Sequence, residues 1–331
     1  MSIPKIDPVL LEPLERPGYA IENNANVFFN SLTNTVEMSS YLRAYQGFES
    51  GYTSGGSTGA PYTNIIDKFP FASDGNATDV GNLTGVRDSA AGQSSNTHGY
   101  TSGGSPGYLN IIDKFPFTSG GNASDVGDLI QNRSGSAGQS SETSGYTSGG
   151  AVPPFSYVNT IDKFPFVSDS SASDVGDLSV ARYKVTGVSS PLFGYSLLGN
   201  SPSGYEVNTI DKFPFASNSN ATDVGDITQS GSFASGQNSA YHGYKGGHFG
   251  STRIDKFPFA VDANATTVGD ITQSRNGAAG QSSTISGYIS GGRIYPITYN
   301  TIDKFPFASE SNESDVGDLT VGRYDVAGQQ Y

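Results

Sequence analysis

Asn-x-Ser/Thr triplets at five equivalent repeat positions, starting at Asn76, Asn122, Asn220, Asn264 and Asn312, are the first places where this chain could receive chemistry. Each matches a glycan acceptor. Each also lies among Ser, Gly, Asn and Asp, where Asn tolerates left-handed backbone and bonds its own main chain, and a turn is the favoured reading of so short a motif. Asp74, Asp169 and Asp262 sit in the same polar stretches and suggest calcium loops. A loop of the EF type needs a dense acidic series ending in a bidentate Glu. That series is missing, and Asp74 becomes Gly120 or Asn218 in equivalent stretches, so no metal is expected. His98, His242 and His248 are too few and too scattered for a zinc cluster. Cysteine is absent, which removes disulfides and thiolate chemistry. A nucleophile–base–orienter set needs Ser or Cys beside His and a carboxylate, and Ser is so abundant here that it points nowhere. Neither an enzyme nor a cofactor is expected.

These groups are carried by a repeat. Ile-Asp-Lys-Phe-Pro-Phe begins at Ile66, Ile112, Ile161, Ile210, Ile254 and Ile302, with spacings of 46, 49, 49, 44 and 48 residues. Periods of this length are the mark of repeat architectures. Within one period, four short extended segments are each bounded by Gly, Ser, Asn or Asp. We label them a (Ala-Gly-Gln-Ser-Ser), b (Gly-Tyr-Thr-Ser-Gly-Gly), c (the hexapeptide) and d (Asp-Val-Gly-Asp-Leu). No helical periodicity with caps occurs within the repeats. Four strands per repeat and six repeats predict an all-β, six-bladed β-propeller over residues 51–331. The first repeat has strand b at Gly51 but no strand a before it, and the chain ends on Ala327-Gly328-Gln329-Gln330-Tyr331, a strand a without its b. A ring closed by the C-terminal strand uses both ends, whereas an open solenoid wants capping repeats.

Small residues in strand a suit six strands converging on an axis. Phe69 and its five equivalents, with Val80 and its equivalents, are the expected packing between blades. Gln93, Gln139, Gln237, Gln281 and Gln329 share one register of strand a. They either ring an axial channel and hold water or satisfy polar groups at strand edges.

Up-down strand order puts the b–c and d–a loops on one face and the a–b and c–d loops on the other. The b–c loops vary while the strands hardly do, and they carry Tyr62, Tyr108, Phe155, Tyr157, Tyr205, Phe249, Tyr295 and Tyr299. Rigid aromatics on loops over a stiff scaffold are candidates for a binding surface, with covering of blade ends as the other reading.

The repeat resembles the kelch motif. Its Gly55-Gly56, Gly103-Gly104, Gly149-Gly150, Gly246-Gly247 and Gly291-Gly292 pairs end strand b, Asp-Lys-Phe matches the family's acidic–basic–aromatic stretch, and a C-terminal strand a closes the ring. Valine replaces the family's strand-d Trp, and Leu197-Leu198-Gly199 replaces the fourth Gly-Gly pair, so that turn is expected to differ. The hexapeptide wording also resembles kelch-like repeat proteins encoded by tailed phages of marine cyanobacteria. That resemblance implies a virion tail or fibre component with a structural or adhesion role. The other expectation is a secreted or cell-surface module that binds carbohydrate or protein.

Residues 1–50 contain no repeat element. They are expected to form an arm that docks onto other structural proteins of an assembly or a second copy of the chain, or else a disordered lead-in. A net charge of −13 opposes nucleic-acid binding. No apolar run is long enough for a signal sequence or a membrane span, so no membrane insertion is expected.

Overall fold

The computed structural model describes residues 27–30, 35–38, 46–309 and 311–331. The chain divides into two units, Met1–Leu42 and Arg43–Tyr331. In the first, the described part is an antiparallel pair, Val27–Asn30 with Thr35–Met38. The rest of the expected arm, up to residue 45, lies outside the described residues.

In the second unit six four-stranded antiparallel sheets form the blades of a propeller, and no helix occurs among the described residues. Strands a to d of the second blade are Ala91–Ser94, His98–Ser102, Leu109–Pro116 and Ser124–Arg133. The first blade takes its strand a from the far end of the chain. Ala327–Gln330 pairs with Ser50–Ser54, setting Gln329 opposite Tyr52 and Gly328 opposite Thr53. The Tyr331 carbonyl then accepts from the amides of Phe48, Glu49 and Ser50. Ring closure by the C-terminal strand is therefore as the sequence predicts.

The repeated residues are explained by the joints between blades. In strand b, Gly99 faces Phe115 across the sheet, and a Cβ on it would meet the ring 2.3 Å away. The glycine is a seat for that ring. The adjacent Tyr100 turns to the next blade and packs on Phe164 and Phe166 at 5.5 and 4.8 Å. The same tyrosine-on-two-phenylalanines wedge fills all six joints, ending with Tyr288 on Phe69 and Phe71. Burying each such ring contributes about 1.5–3 kcal/mol. The strand-d valines flank these clusters, half-buried except for the buried Val175.

The hexapeptide Asp is the polar half of each joint. Asp113 meets Arg87 Nη2 at 2.8 Å and accepts from Thr84 N and Oγ1, both groups coming from the linker out of the preceding blade. Both charged side chains are fully buried. Arg133–Asp162, Arg182–Asp211, Arg275–Asp303 and Arg323–Asp67 repeat the pair. Blade five departs from it. Gly231 stands where the Arg belongs, and Lys245 of strand b supplies the cation 3.6 Å from Asp255, while the His248 ring covers Gly231.

Two sequence expectations change, and one pair of alternatives is decided. Of the two readings of the five glutamines, satisfaction of polar groups holds: Gln93 Nε2 donates to Tyr146 O and Thr147 Oγ1 of the next blade (both 3.0 Å), Gln139, Gln281 and Gln329 repeat both bonds, and Gln237 makes the one to Tyr288 O. The acceptor-motif asparagines bond the neighbouring blade and not their own main chain: Asn122 Oδ1 accepts from Asn82 N at 3.0 Å. Four others repeat this contact. The fourth blade keeps the common turn, because Leu198 adopts φ 58° in place of the first glycine and is wholly buried there. Asp74, Asp169 and Asp262 pair with Lys304, Lys114 and Lys212.

Strands a surround the axis through a ring of six glycines. A Cβ on Gly138 would lie 2.1 Å from Gly92 O, and Gly92, Gly187, Gly236, Gly280 and Gly328 are equally confined. Only an axial channel of about 130 Å³ remains.

One joint carries a misfit. Glu313 occupies the place of Ala77, Ala123, Ala172, Ala221 and Ala265, and among the described residues no group makes a hydrogen bond of good geometry to its two carboxyl oxygens. Burial, and then the Asp303 carboxylate, push its pKa well above the ordinary 4.5, against the opposing pull of Arg275 and Thr272. The fold thus holds a proton that the unfolded chain releases, and stability falls as pH rises from about 4.5 through the raised folded value. Glu313→Ala is expected to stabilise the ring by about 1–3 kcal/mol at pH 8 and to flatten that slope, as read by urea melts across pH. Equal stability of the two proteins at pH 8 would contradict the assignment.

Candidate functional site

Two residues after each joint arginine, or after Gly231 in blade five, the linker from strand d to strand a makes the same left-handed turn. The positions are Ser89, Gly135, Lys184, Phe233, Gly277 and Asp325, with φ between 52° and 66°. Four of the six are not glycine, although a side chain there costs about 1–2 kcal/mol. Ser89 N donates to Asp325 O, Gly135 N to Ser89 O, and Lys184 N to Gly135 O, each at 2.8 Å. Phe233 N donates to Lys184 O and Gly277 N to Phe233 O, both at 3.0 Å. Val326 N reaches Gly277 O at 3.3 Å and completes a backbone ring around the channel mouth. Because hydrogen bonds fix the backbone, the side chains at this ring are free to differ between repeats, and they do.

On one side of the mouth is an aromatic cluster. Tyr183 stacks on Tyr157 (5.6 Å, 19°) and meets Phe155 edge-on at 5.5 Å. Lys184 Nζ lies 4.7 Å from the Phe233 ring centre and 5.4 Å from that of Tyr183, a pair of cation–π contacts. Burial pushes the Tyr183 phenol up to about 12.

On the other side, Tyr62, Asp88, Ser105, Arg293, Tyr324 and Asp325 are among the residues lining a hollow of about 360 Å³ that Tyr183 also borders. The Arg293 guanidinium lies over Tyr324 at 3.7 Å. Burial raises Asp88 to about 6, against the pull of Ser89 and Arg293. Burial, then the Asp88 charge, raises Asp325 to about 7, against Arg293 and Lys184. Burial thus favours the neutral form of both carboxyls relative to exposed aspartates.

The eight aromatics predicted from sequence divide into groups. Tyr62 borders the hollow, Phe155 and Tyr157 form the cluster on Tyr183, and Tyr108 is half-buried with φ 56°. Tyr205, Phe249 and Tyr295 are largely exposed at 76, 66 and 85%. None of the three lines the channel or the hollow. Tyr299 is half-buried, its backbone held by Gly292 and Arg323. Asp88, Tyr183, Lys184, Phe233, Tyr324 and Asp325 were missed by sequence reasoning. Their signal was available: they directly follow the joint position and vary there while their surroundings repeat. Comparison with protein-family models and with curated proteins finds no match for this chain.

Proposed function

We propose that this chain is a kelch-like propeller that acts as a non-enzymatic binding scaffold, with the face of b–c and d–a loops as its recognition surface. One observation carries the reading. Every joint between blades uses nearly the same residues, whereas the side chains at the channel mouth on that face differ from repeat to repeat and join aromatic, acidic and basic groups in one basin. Variable loops over a rigid scaffold are where binding commonly resides. Inter-blade contacts occupy the asparagines and aspartates of the c–d turns, which leaves less of that face for a ligand.

The assembly we favour is a virion tail or fibre, supported by the resemblance of the hexapeptide to phage-encoded repeats, with the N-terminal unit as attachment. A free extracellular or cell-surface module is the second reading, favoured by the mixed polar and aromatic lining of the basin. A chain starting at Arg43 is expected to keep the melting temperature of the ring and its surface binding but to fail to enter particles. Replacing Tyr157, Tyr205 and Tyr299 together by Ala is expected to abolish surface binding. Normal particle entry by the shortened chain would refute attachment through the N-terminal unit.

A further inference from the structure

Around the 360 Å³ hollow, opposite charges converge without closing on one another. Asp88 is only 8% exposed, and Asp325 and Arg293 border the same space. Arg293 acts on both carboxyls electrostatically, yet among the described residues it forms no salt bridge with either and rests on the Tyr324 ring instead. A guanidinium and two carboxyls held apart across a cavity leave room for a group that bonds to all three.

The chemistry narrows that group. An ammonium ion would satisfy the carboxyls but meet Arg293 as a like charge. A carboxylate or phosphate would pair with Arg293 but face two acids in a chain of net charge −13. Hydroxyls suit every member, since each donates to a carboxylate and accepts from a guanidinium. Tyr62, 39% exposed at the rim, offers an aromatic face for an apolar C–H surface. We propose that the axial basin binds an uncharged saccharide unit, whose hydroxyls bridge Asp88, Asp325 and Arg293 and whose C–H face lies on Tyr62. This inference rests on the reading of that face as the binding surface.

The test is an array of neutral, amine-bearing and acidic oligosaccharides probed with the full-length protein. Four variants accompany it: Asp88→Asn, Arg293→Gln, a Tyr205→Ala/Phe249→Ala pair, and Val167→Ser, which alters an exposed c–d turn. Expected is binding to neutral glycans by wild type and by Val167→Ser. Asp88→Asn and Arg293→Gln should weaken it about tenfold or more, the scale of one lost charged hydrogen bond, at unchanged melting temperature. Neutral-glycan binding that ignores those two substitutions and is lost in the Tyr205/Phe249 pair would overturn the inference but leave the face as the binding surface. Binding only to amine-bearing or acidic glycans, or to none, would also overturn it, and surface binding by the Tyr157/Tyr205/Tyr299 variant then decides the wider reading on its own. Loss of binding in Val167→Ser alone would refute both.

Discussion

Gly138→Ala is expected to destabilise the ring by about 3 kcal/mol or more, at the upper end of overpacking costs. The methyl would sit 2.1 Å from Gly92 O, and Gly138 O in turn lies 2.1 Å from where a Cβ on Gly187 would be. Side chains in a crowded core can turn to another rotamer, but here both partners are backbone. Moving one strand a outward would also loosen the Gln139 bonds to Tyr195 O and Ser196 Oγ. A control is Ser136→Ala, a side chain near the same strand that makes a single backbone contact, to Gly149 O. Chemical denaturation of the two variants should separate them clearly. A Gly138→Ala protein as stable as wild type would mean that the strands do not meet at the axis as described.

Most of the fold was legible because each repeated residue answers a local demand that recurs six times. The Gly-Tyr pair of strand b, the Phe-Pro-Phe of strand c and the missing first strand a announce blades and closure without tertiary information. The partners of polar side chains were not legible. Gln93, Asn122 and Asp113 look like residues of a channel, a turn and a charged strand, yet each is committed to a neighbouring blade some 29 to 54 residues away in sequence. Such partners follow from blade rotation, which no local pattern encodes.

The candidate site was half legible for the same reason. Loop aromatics such as Tyr157 and Tyr62 stand out by type. Lys184 and Asp325 do not, because their importance comes from a left-handed turn that six linkers bring to one point. Blade five shows how a joint can change while the architecture persists. Gly231, Lys245 and His248 depart together from the common residues, and a cation still reaches Asp255. Burial of that cation depresses Lys245 to about 8, the electrostatic mark of a pair that taking one partner away would leave uncompensated.

Deleting Ala327–Tyr331 is the other large perturbation, because it removes one whole strand from the axis. Strand b of the first blade would lose its pairing from Gly51 to Ser54. Gln329 could no longer reach Tyr100 O, and the carbonyl that holds Phe48, Glu49 and Ser50 would be gone. The backbone ring at the mouth would lose the anchor of its Asp325 and Val326 bonds, since these two residues directly precede the deleted strand. Opening the ring should therefore damage the basin from which the binding proposals start.

Amide hydrogen exchange in Ser50–Ser54 reports this most directly, compared between the full chain and the chain ending at Val326. In the full chain these amides should exchange as slowly as those of Ser144–Ser148 in the third blade. In the shortened chain they should lose most of that protection. Equal protection of Ser50–Ser54 in both proteins would contradict closure by the C-terminal strand and, with it, the convergence of six linkers on one mouth.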